Sequence, residues 1–186
     1  VIGIRRAEPV AGFYRMRNMP ARLLGLLIAF VVVIDATPAA AQGAAEPIRY
    51  TLSFPAPHTH YVEVAADVPT GGRSEIALMM AVWTPGSYMV REYARHVEGV
   101  TAAGPQGRAL DVAKTDKNRW RVATGGAPRV TVRYRVYARE MTVRTNWVEA
   151  DFAMLNGAPT FMTLPDGMMR PHEVVIEPAE GWRRSI

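Results

Sequence analysis

Short segments in which apolar and polar positions alternate fill the chain from Ile48 onward. The clearest of them is residues 129–139, where five apolar positions from Val130 to Ala138 share one face. The other face, from Arg129 to Tyr137, carries three arginines. A period of two with apolar residues inward and charged residues outward is typical of an antiparallel strand with one wet face.

Further strands are predicted from the same period or from continuous apolar runs. Residues 75–83 are almost continuously apolar, which indicates a strand buried on both faces, although a buried helix gives the same pattern. Turn signals rich in Gly, Pro, Asp and Asn separate the segments, and no long amphipathic helix interrupts them. The sequence therefore predicts an all-β fold, an antiparallel β-sandwich with at most one or two short helical turns. The predicted strands lie at 48–54, 60–67, 75–83, 108–114, 119–123, 129–139, 142–150 and 173–178.

The first 41 residues have a different character from this body. Residues 16–41 contain arginines, then an apolar run of 12 residues from Leu23 to Ile34, then small residues ending at Ala41. This order is typical of a secretory signal peptide. A helix of that length spans about 18 Å, short of the roughly 30 Å hydrocarbon core, so no stable membrane anchor is expected after cleavage. The predicted protein is exported, to the periplasm or to the outside.

The expected domain organisation follows from this division. Residues 1–15 are predicted to be unstructured leader or upstream sequence, residues 16–41 a signal peptide, and residues 42–47 a short linker. Residues 48–186 are expected to form one β domain, with an even mixture of strands and turns that gives no reason for a second.

Charge and cysteine content exclude several classes of protein. The formal net charge is +5, but residues 1–41 contribute +3 of it, and the later basic residues are scattered among acidic ones. Without a block of Lys and Arg or a known motif, no nucleic-acid partner is expected. The chain contains no cysteine, which excludes disulfides, thiolate metal sites and a cysteine nucleophile.

Two histidine patterns resemble metal motifs, and neither is complete. The sequence HEVVI begins like the His-Glu-x-x-His helix of zinc peptidases, but position 176 is isoleucine and prolines flank the segment. His58 and His60 would share one face of a strand, yet no third ligand is evident. We therefore predict no metal site and no catalytic residue in this chain.

The segment WTPGSYMVREYARHV, residues 83–97, concentrates most of the candidate chemistry. Its Pro-Gly pair predicts a turn, and a short helix is expected over 88–97 with Met89, Tyr93 and Val97 toward the core. One interpretation is a helical cap with a solvated charged face. The other is a loop that presents Tyr88, Arg91 and Glu92 to a substrate, because a carboxylate can hold an amine and a guanidinium a carboxylate.

The same segment resembles the W-x-P-G-S-Y stretch in the N-terminal domain of the glycyl aminopeptidase family of metallopeptidases, family M sixty-one. Neighbouring segments also resemble this domain in order: YTLSFPAPHTHYVEVAADVP, KTDKNRWRV, VTVRYRVYAREMTVRTNWVEADFAMLNGAPTFM and HEVVIEPAEGW. The resemblance covers most of residues 48–182.

The resemblance implies a β domain that packs beside a thermolysin-like catalytic domain, with a PDZ domain after it in many members. Zinc, the general base and the activity would belong to that missing catalytic domain, so this chain would bind no cofactor and would be inactive as given. Its partners would be its own catalytic domain and a peptide substrate, whose N-terminus Tyr88, Arg91 and Glu92 would help to receive.

Two other classes of function stay open at this stage. One is a free-standing envelope module that binds peptide or carbohydrate, with Trp83, Trp120, Trp147 and Trp182 as platforms, although tryptophan is more often buried in a sandwich core. A structural or chaperone-like envelope domain is the third class. An H-E-x-x-H motif downstream of Ile186 would favour the peptidase domain.

Overall fold

The computed structural model describes residues 45–87, 89–166 and 169–183. The predicted leader at 1–15 and the signal peptide at 16–41 lie outside the described residues, as do residues 42–44 of the predicted linker. No helix in the described ranges has the length and apolar character needed to cross a membrane.

Strands make up nearly all of the regular structure in the described part of the chain, which confirms the all-β prediction. Three short 3₁₀ helices occur, at Pro57–Thr59, Tyr93–His96 and Pro105–Gly107, one more than the expected maximum of two helical turns. The strands are β1 Ile48–Ser53, β2 Tyr61–Pro69, β3 Glu75–Met80, β4 Val97–Ala103, β5 Ala109–Leu110, β6 Val112–Asp116, β7 Arg119–Ala123, β8 Arg129–Tyr137, β9 Trp147–Val148, β10 Ala153–Met154, β11 Met162–Thr163 and β12 His172–Glu177.

The larger sheet has six strands in the order β12-β1-β2-β8-β4-β5. Its neighbours are antiparallel except at one edge, where β12 runs parallel to β1 with Ile176 opposite Leu52. The expected antiparallel arrangement does not hold at this edge. A parallel neighbour requires a long crossover connection, and here the ten strands from β2 to β11 lie between the two partners.

The second main sheet has four strands in the order β11-β3-β7-β6, and every neighbouring pair is antiparallel. In its centre Leu78 of β3 lies opposite Trp120 of β7. The two-residue strands β9 and β10 form a separate antiparallel pair, in which Val148 faces Ala153.

Both main sheets contribute one face to a single hydrophobic core. The alternation predicted for β8 is confirmed, since its apolar positions are buried and its central arginines are exposed. Burial of each valine- or leucine-sized side chain contributes about 1.5–3 kcal/mol. The main buried strand positions are Ile48, Tyr50 and Leu52 of β1, Val62, Val64, Ala66 and Val68 of β2, Ile76, Leu78 and Met80 of β3, Trp120 and Val122 of β7, and Val130, Val132, Tyr134 and Val136 of β8.

Two buried tyrosines connect the larger sheet to the segment around β11. The Tyr50 hydroxyl donates to the carbonyl oxygen of Met162 at 2.7 Å. The Tyr134 hydroxyl donates to the carbonyl oxygen of Thr160 at 2.9 Å and accepts the Met162 N–H at 3.1 Å. Burial raises the pKa of both phenols, so both remain protonated donors. Because β11 belongs to the other sheet, these bonds fix the two sheets to each other.

Strand β3 is more exposed than the sequence predicts, and β12 is exposed along its whole length. Strand β3 has one buried face only, with Glu75 and Ala77 exposed, so the expectation of burial on both faces is wrong. Its apolar outer positions are not covered by a third layer among the described residues. All six residues of β12 are exposed, including Val175 at 55%.

The predicted strand at 142–150 is mostly a turn, and only Trp147–Val148 is extended in a ladder. Side-chain hydrogen bonds explain the difference. The Thr145 hydroxyl donates to the carbonyl oxygen of Glu140 at 2.6 Å and accepts the N–H of Thr142 at 3.1 Å. Such local bonds from Thr side chains compete with strand pairing, which the period of two in the sequence does not reveal.

Candidate functional site

The segment at 83–97 begins with the predicted turn but does not continue as the predicted helix. Ser87 N–H donates to the carbonyl oxygen of Thr84 at 3.0 Å, and Gly86 has a φ of 79°, which glycine adopts without strain. Beyond the turn, Arg91 N–H donates to the carbonyl oxygen of Val82 at 2.6 Å. This bond to Val82, two residues beyond the end of β3, replaces the helical pattern, and only Tyr93–His96 forms a 3₁₀ turn.

The three residues that the predicted helix would turn toward the core differ in how deeply they are buried. Tyr93 is buried, with 4% of its surface exposed, and Val97 packs partly against the core. Met89 is 66% exposed, so its predicted inward orientation is wrong. Without helical geometry, residues four apart in this segment do not share a face.

Arg91 and Glu92 line one groove, which we call the Arg91 groove. Residues 89–93 with Arg95 and His96 form one side, and Glu140 and Thr145 from the β8–β9 connection form the other; the volume is about 260 Å³. Tyr88, the third predicted site residue, lies outside the described residues. The structure therefore brings together two of the three candidates.

Glu92 is exposed and already has a partner. Lys117 Nζ, in the turn between β6 and β7, donates to Glu92 Oε1 at 2.6 Å. This hydrogen bond and the lysine charge lower the pKa of Glu92, and the same contact raises the pKa of Lys117. The sequence carries no signal that Lys117 reaches this carboxylate, because the contact depends on how two distant loops meet.

Arg91 has no acidic partner within the described ranges, although its side chain is partly buried. Its Nε atom is shielded from solvent and forms no hydrogen bond with any described residue. No described carboxylate lies within ion-pair distance of its guanidinium, whereas the neighbouring Arg95 Nη2 lies 3.7 Å from Glu140 Oε1. Arg91 is thus the cation in this groove that is left without a counterion in the part of the chain the structure describes.

Tyr93 is a residue that sequence reasoning assigned to packing alone. Its ring is buried against the core, but its hydroxyl oxygen is shielded from solvent and has no hydrogen-bond partner among the described side chains and backbone. Tyr93 lines the Arg91 groove and also an adjoining apolar cavity of about 140 Å³ beside Val136 and Asn146. Nothing in the sequence around Tyr93 indicates that its hydroxyl would lack a hydrogen-bond partner.

His96 is a neutral neighbour in the same groove. Burial, followed by the nearby Arg95 charge, lowers the pKa of His96 below its ordinary value. Arg95 Nε donates to His96 Nε2 at 3.0 Å, which requires this nitrogen to be unprotonated. At neutral pH the groove therefore carries the cationic groups of Arg91 and Arg95 but no charge on His96.

A second polar cluster surrounds His60 at the start of β2. His60 Nδ1 lies 2.7 Å from the carbonyl oxygen of Val148, and Arg139 donates to the same ring. Arg139 Nη1 also lies 3.1 Å from Glu149 Oε2, and its guanidinium lies over the Trp147 ring at 5.1 Å. Every charged group in this cluster has a partner within it, and His60 has a positive φ of 64° where the 3₁₀ helix Pro57–Thr59 ends.

Three of the four histidines are engaged by other groups, and the fourth, His58, is exposed in the 3₁₀ helix Pro57–Thr59. His60 is occupied by Val148 and Arg139, His96 by Arg95, and the Nε2 of His172 lies 3.2 Å from the Thr163 hydroxyl. In the described ranges no group of three or more His, Asp or Glu side chains converges on one point that could hold a metal ion. These residues do not supply the ligand set that zinc requires.

Of the four tryptophans, one is a candidate platform. Trp83 is 57% exposed at the start of the 83–97 segment, whereas Trp120 is buried in the core. Trp147 and Trp182 are partly buried, and Trp182 Nε1 donates to the carbonyl oxygen of Ala150 at 2.7 Å. Trp182 also packs on Phe54 with ring centroids 4.9 Å apart, so its role is structural.

An apolar groove of about 420 Å³ runs beside β12. Its walls include Phe152, Val174 and Ile176, which are 41–46% exposed, together with Phe54 and Trp182. Few polar groups line this groove, so it is suited to apolar contacts and not to catalysis.

Comparisons with known proteins agree with this architecture. Residues 49–185 match the family model described as Peptidase M61 N-terminal domain. Among solved structures, the chain is similar to the crystal structure of an aminopeptidase N family protein from Idiomarina loihiensis, with 27% sequence identity and a TM-score of 0.65. The match covers 70% of this chain and 22% of the Idiomarina chain. Comparison with curated proteins gives no match.

Proposed function

This chain belongs to the family described as Peptidase M61 N-terminal domain, and we propose that it serves as the non-catalytic β domain of an exported zinc aminopeptidase-like protein. The family match over residues 49–185 is the observation that carries the proposal. The match to 22% of a longer aminopeptidase N family chain supports it, because the same fold there is part of a larger protein.

In this proposal the domain packs beside a catalytic domain and helps to shape the pocket for the substrate's N-terminal end. The two main sheets form the layers of a β-sandwich, which their shared core and the bonds of Tyr50 and Tyr134 support. The Arg91 groove is the part proposed to face the substrate, because it combines Arg91 and Glu92 with an accessible volume of about 260 Å³.

Zinc and the catalytic groups belong, in this proposal, to a separate catalytic domain. The donor set of the described residues supports this division, since His60, His96 and His172 are each engaged by another group and no three metal-binding side chains converge in the described ranges. The partners of the domain are accordingly its own catalytic domain and a peptide substrate, with a PDZ domain as a further neighbour.

Export is proposed from the sequence of residues 16–41 alone. The measurement is fractionation of cells that express the chain from Met16, with mass spectrometry of the mature N-terminus. Cleavage after Ala41 and recovery outside the cytoplasm are expected. An uncleaved cytoplasmic product would refute this part of the proposal.

The central test extends the reading frame beyond Ile186 and assays the longer product. We expect a His-Glu-x-x-His motif downstream and zinc-dependent hydrolysis of aminoacyl arylamides by the longer protein. The 186-residue chain with added zinc should give no hydrolysis above the uncatalysed background. Hydrolysis by the short chain, or a stop codon directly after Ile186, would overturn the proposal.

A free-standing envelope module that binds peptide or carbohydrate is the alternative, and the exposure of Trp83 favours it. In that case Trp83→Ala should abolish binding of an oligosaccharide or peptide to the short chain and leave its unfolding midpoint unchanged. In the domain proposal, the same change alters no such binding.

A further inference from the structure

We infer that the Arg91 groove binds a carboxylate group of a peptide, with the Arg91 guanidinium and the Tyr93 hydroxyl as hydrogen-bond donors. The inference rests on the proposed function only in taking the groove to face a substrate. It assigns the ligand's chemistry and adds Tyr93 to the residues that receive it.

Two shielded donors in one groove are the first observation. Arg91 Nε and the Tyr93 hydroxyl both lack a hydrogen-bond partner among the described residues, and both side chains line the groove. A buried donor without an acceptor is costly, and native proteins leave few of them. Both atoms are closed to water, so a ligand reaches them only when the side chains that cover them move aside. A ligand that accepts hydrogen bonds would satisfy both groups.

Charge selects the class of acceptor. Glu92 is bound by Lys117 and Glu140 lies beside Arg95, whereas Arg91 has no described carboxylate within ion-pair distance. An amine would compete with Lys117 and Arg95 for the two carboxylates that line the groove. A carboxylate would find an uncompensated guanidinium, whose Nε–Nη edge can donate two parallel hydrogen bonds.

The size of the groove favours a small group. Its volume of about 260 Å³ lies below the roughly 300–1,000 Å³ of pockets that enclose whole drug-sized ligands. One end or one acidic side chain of a peptide fits that space better than a folded partner. The predicted role of Glu92 in holding a substrate amine stays a prediction beside this assignment of Arg91.

The test compares two ligands that differ in one group, N-acetylglycine and N-acetylglycinamide, on the 186-residue chain. The readout is the ¹H–¹⁵N signal of Arg91 Nε during a titration. We expect a saturable shift with the carboxylate and none with the amide. Sodium sulfate at equal ionic strength is the third arm. An equal shift with the amide or with sulfate would overturn the assignment of a carboxylate site.

Variants locate the donors. Tyr93→Phe should weaken binding of N-acetylglycine by about tenfold or more, the usual effect of losing a hydrogen bond to a charged group. Arg91→Lys keeps the charge but removes Nε, and a similar loss is expected when binding is measured by isothermal titration calorimetry, which does not depend on the Nε signal. Arg133→Gln is the matched control, because Arg133 is an exposed arginine on β8 that has no ion pair among the described residues. Equal weakening by Arg133→Gln, or no weakening by Tyr93→Phe, would refute the proposal.

The outcomes remain separable from those of the proposed function. The titration needs neither zinc nor a downstream domain, so an inactive longer protein leaves a positive binding result intact. Conversely, hydrolysis by the longer protein with no carboxylate-dependent shift in the short chain would refute the carboxylate site alone.

Discussion

Two buried tyrosine hydroxyls in this domain differ in whether they have a partner. Tyr134 donates to Thr160 and accepts from Met162, so its hydroxyl is an integral part of the contact between the sheets. Tyr93 is nearly as buried, but its hydroxyl contacts no acceptor among the described residues. Residue type and burial are the same, and only the surroundings separate a structural hydroxyl from one available to a ligand.

This difference predicts opposite effects of the same substitution. Tyr134→Phe should lower the free energy of unfolding by about 1–3 kcal/mol, because it leaves two buried backbone groups less satisfied. Tyr93→Phe should leave that free energy unchanged or raise it by up to about 1 kcal/mol, since it removes an unsatisfied group. Urea denaturation measures both. A loss for Tyr93→Phe as large as that for Tyr134→Phe would mean that the Tyr93 hydroxyl is a structural donor.

The histidines predict how stability depends on pH. Burial, the largest cause, lowers the pKa of both His96 and His172 in the folded protein, and nearby arginines lower them further. Their unfolded forms bind protons near the ordinary value of 6.5, so acidification below that pH favours the unfolded state. The free energy of unfolding should therefore fall between pH 7 and pH 5. In urea unfolding, His96→Gln should reduce the difference between the free energies of unfolding at pH 7 and pH 5. An unchanged difference would contradict the lowered pKa of His96 as its cause.

Among the elements, β8 and β12 are extremes of the larger sheet. Strand β8 is paired on both sides, with β2 and β4, and buries one complete face. Strand β12 is paired on one side only within the described residues and has no buried position. The β-branched content of the two strands is similar, four of nine residues in β8 and three of six in β12, so it does not reveal which strand lies at an edge.

The pairing difference predicts the local stability of the two strands. Backbone amides of β12 should exchange with deuterium at least about tenfold faster than those of β8, because opening an exposed edge strand breaks fewer contacts. Hydrogen exchange followed by mass spectrometry resolves the two segments, and the equally central β2 serves as control. Equal protection of β12 and β8 would show that another surface covers β12 in solution.

The 83–97 segment shows where an element cannot be predicted from local pattern. Its apolar and charged residues fit a helix as well as a loop, and the Pro-Gly turn was predicted correctly. The bond from Arg91 N–H to Val82 decides between the two conformations, and it joins residues on either side of that turn. Local periodicity carries no information about such a contact.

For the whole molecule, the sequence predicted the fold class well and the strand neighbours poorly. Period-two alternation depends on one buried face, which β8 has, so its core positions followed directly. The parallel pairing of β12 with β1 depends on a crossover through the rest of the fold. Of the candidate site, Arg91 was identified from residue type, whereas Tyr93 and Lys117 required the positions of distant loops.

The exposed strand β12 has a consequence for the behaviour of the short chain in solution. It presents three adjacent β-branched side chains, Val174, Val175 and Ile176, beside backbone groups that no described strand pairs. Such an edge is a template for strand addition between molecules, and hence for aggregation. Val175→Lys should lower the aggregation rate of the 186-residue chain in static light scattering without changing its unfolding midpoint, because edge lysines oppose this pairing. Glu173 and Glu177 flank these apolar residues, and their charges also oppose pairing of this strand between molecules.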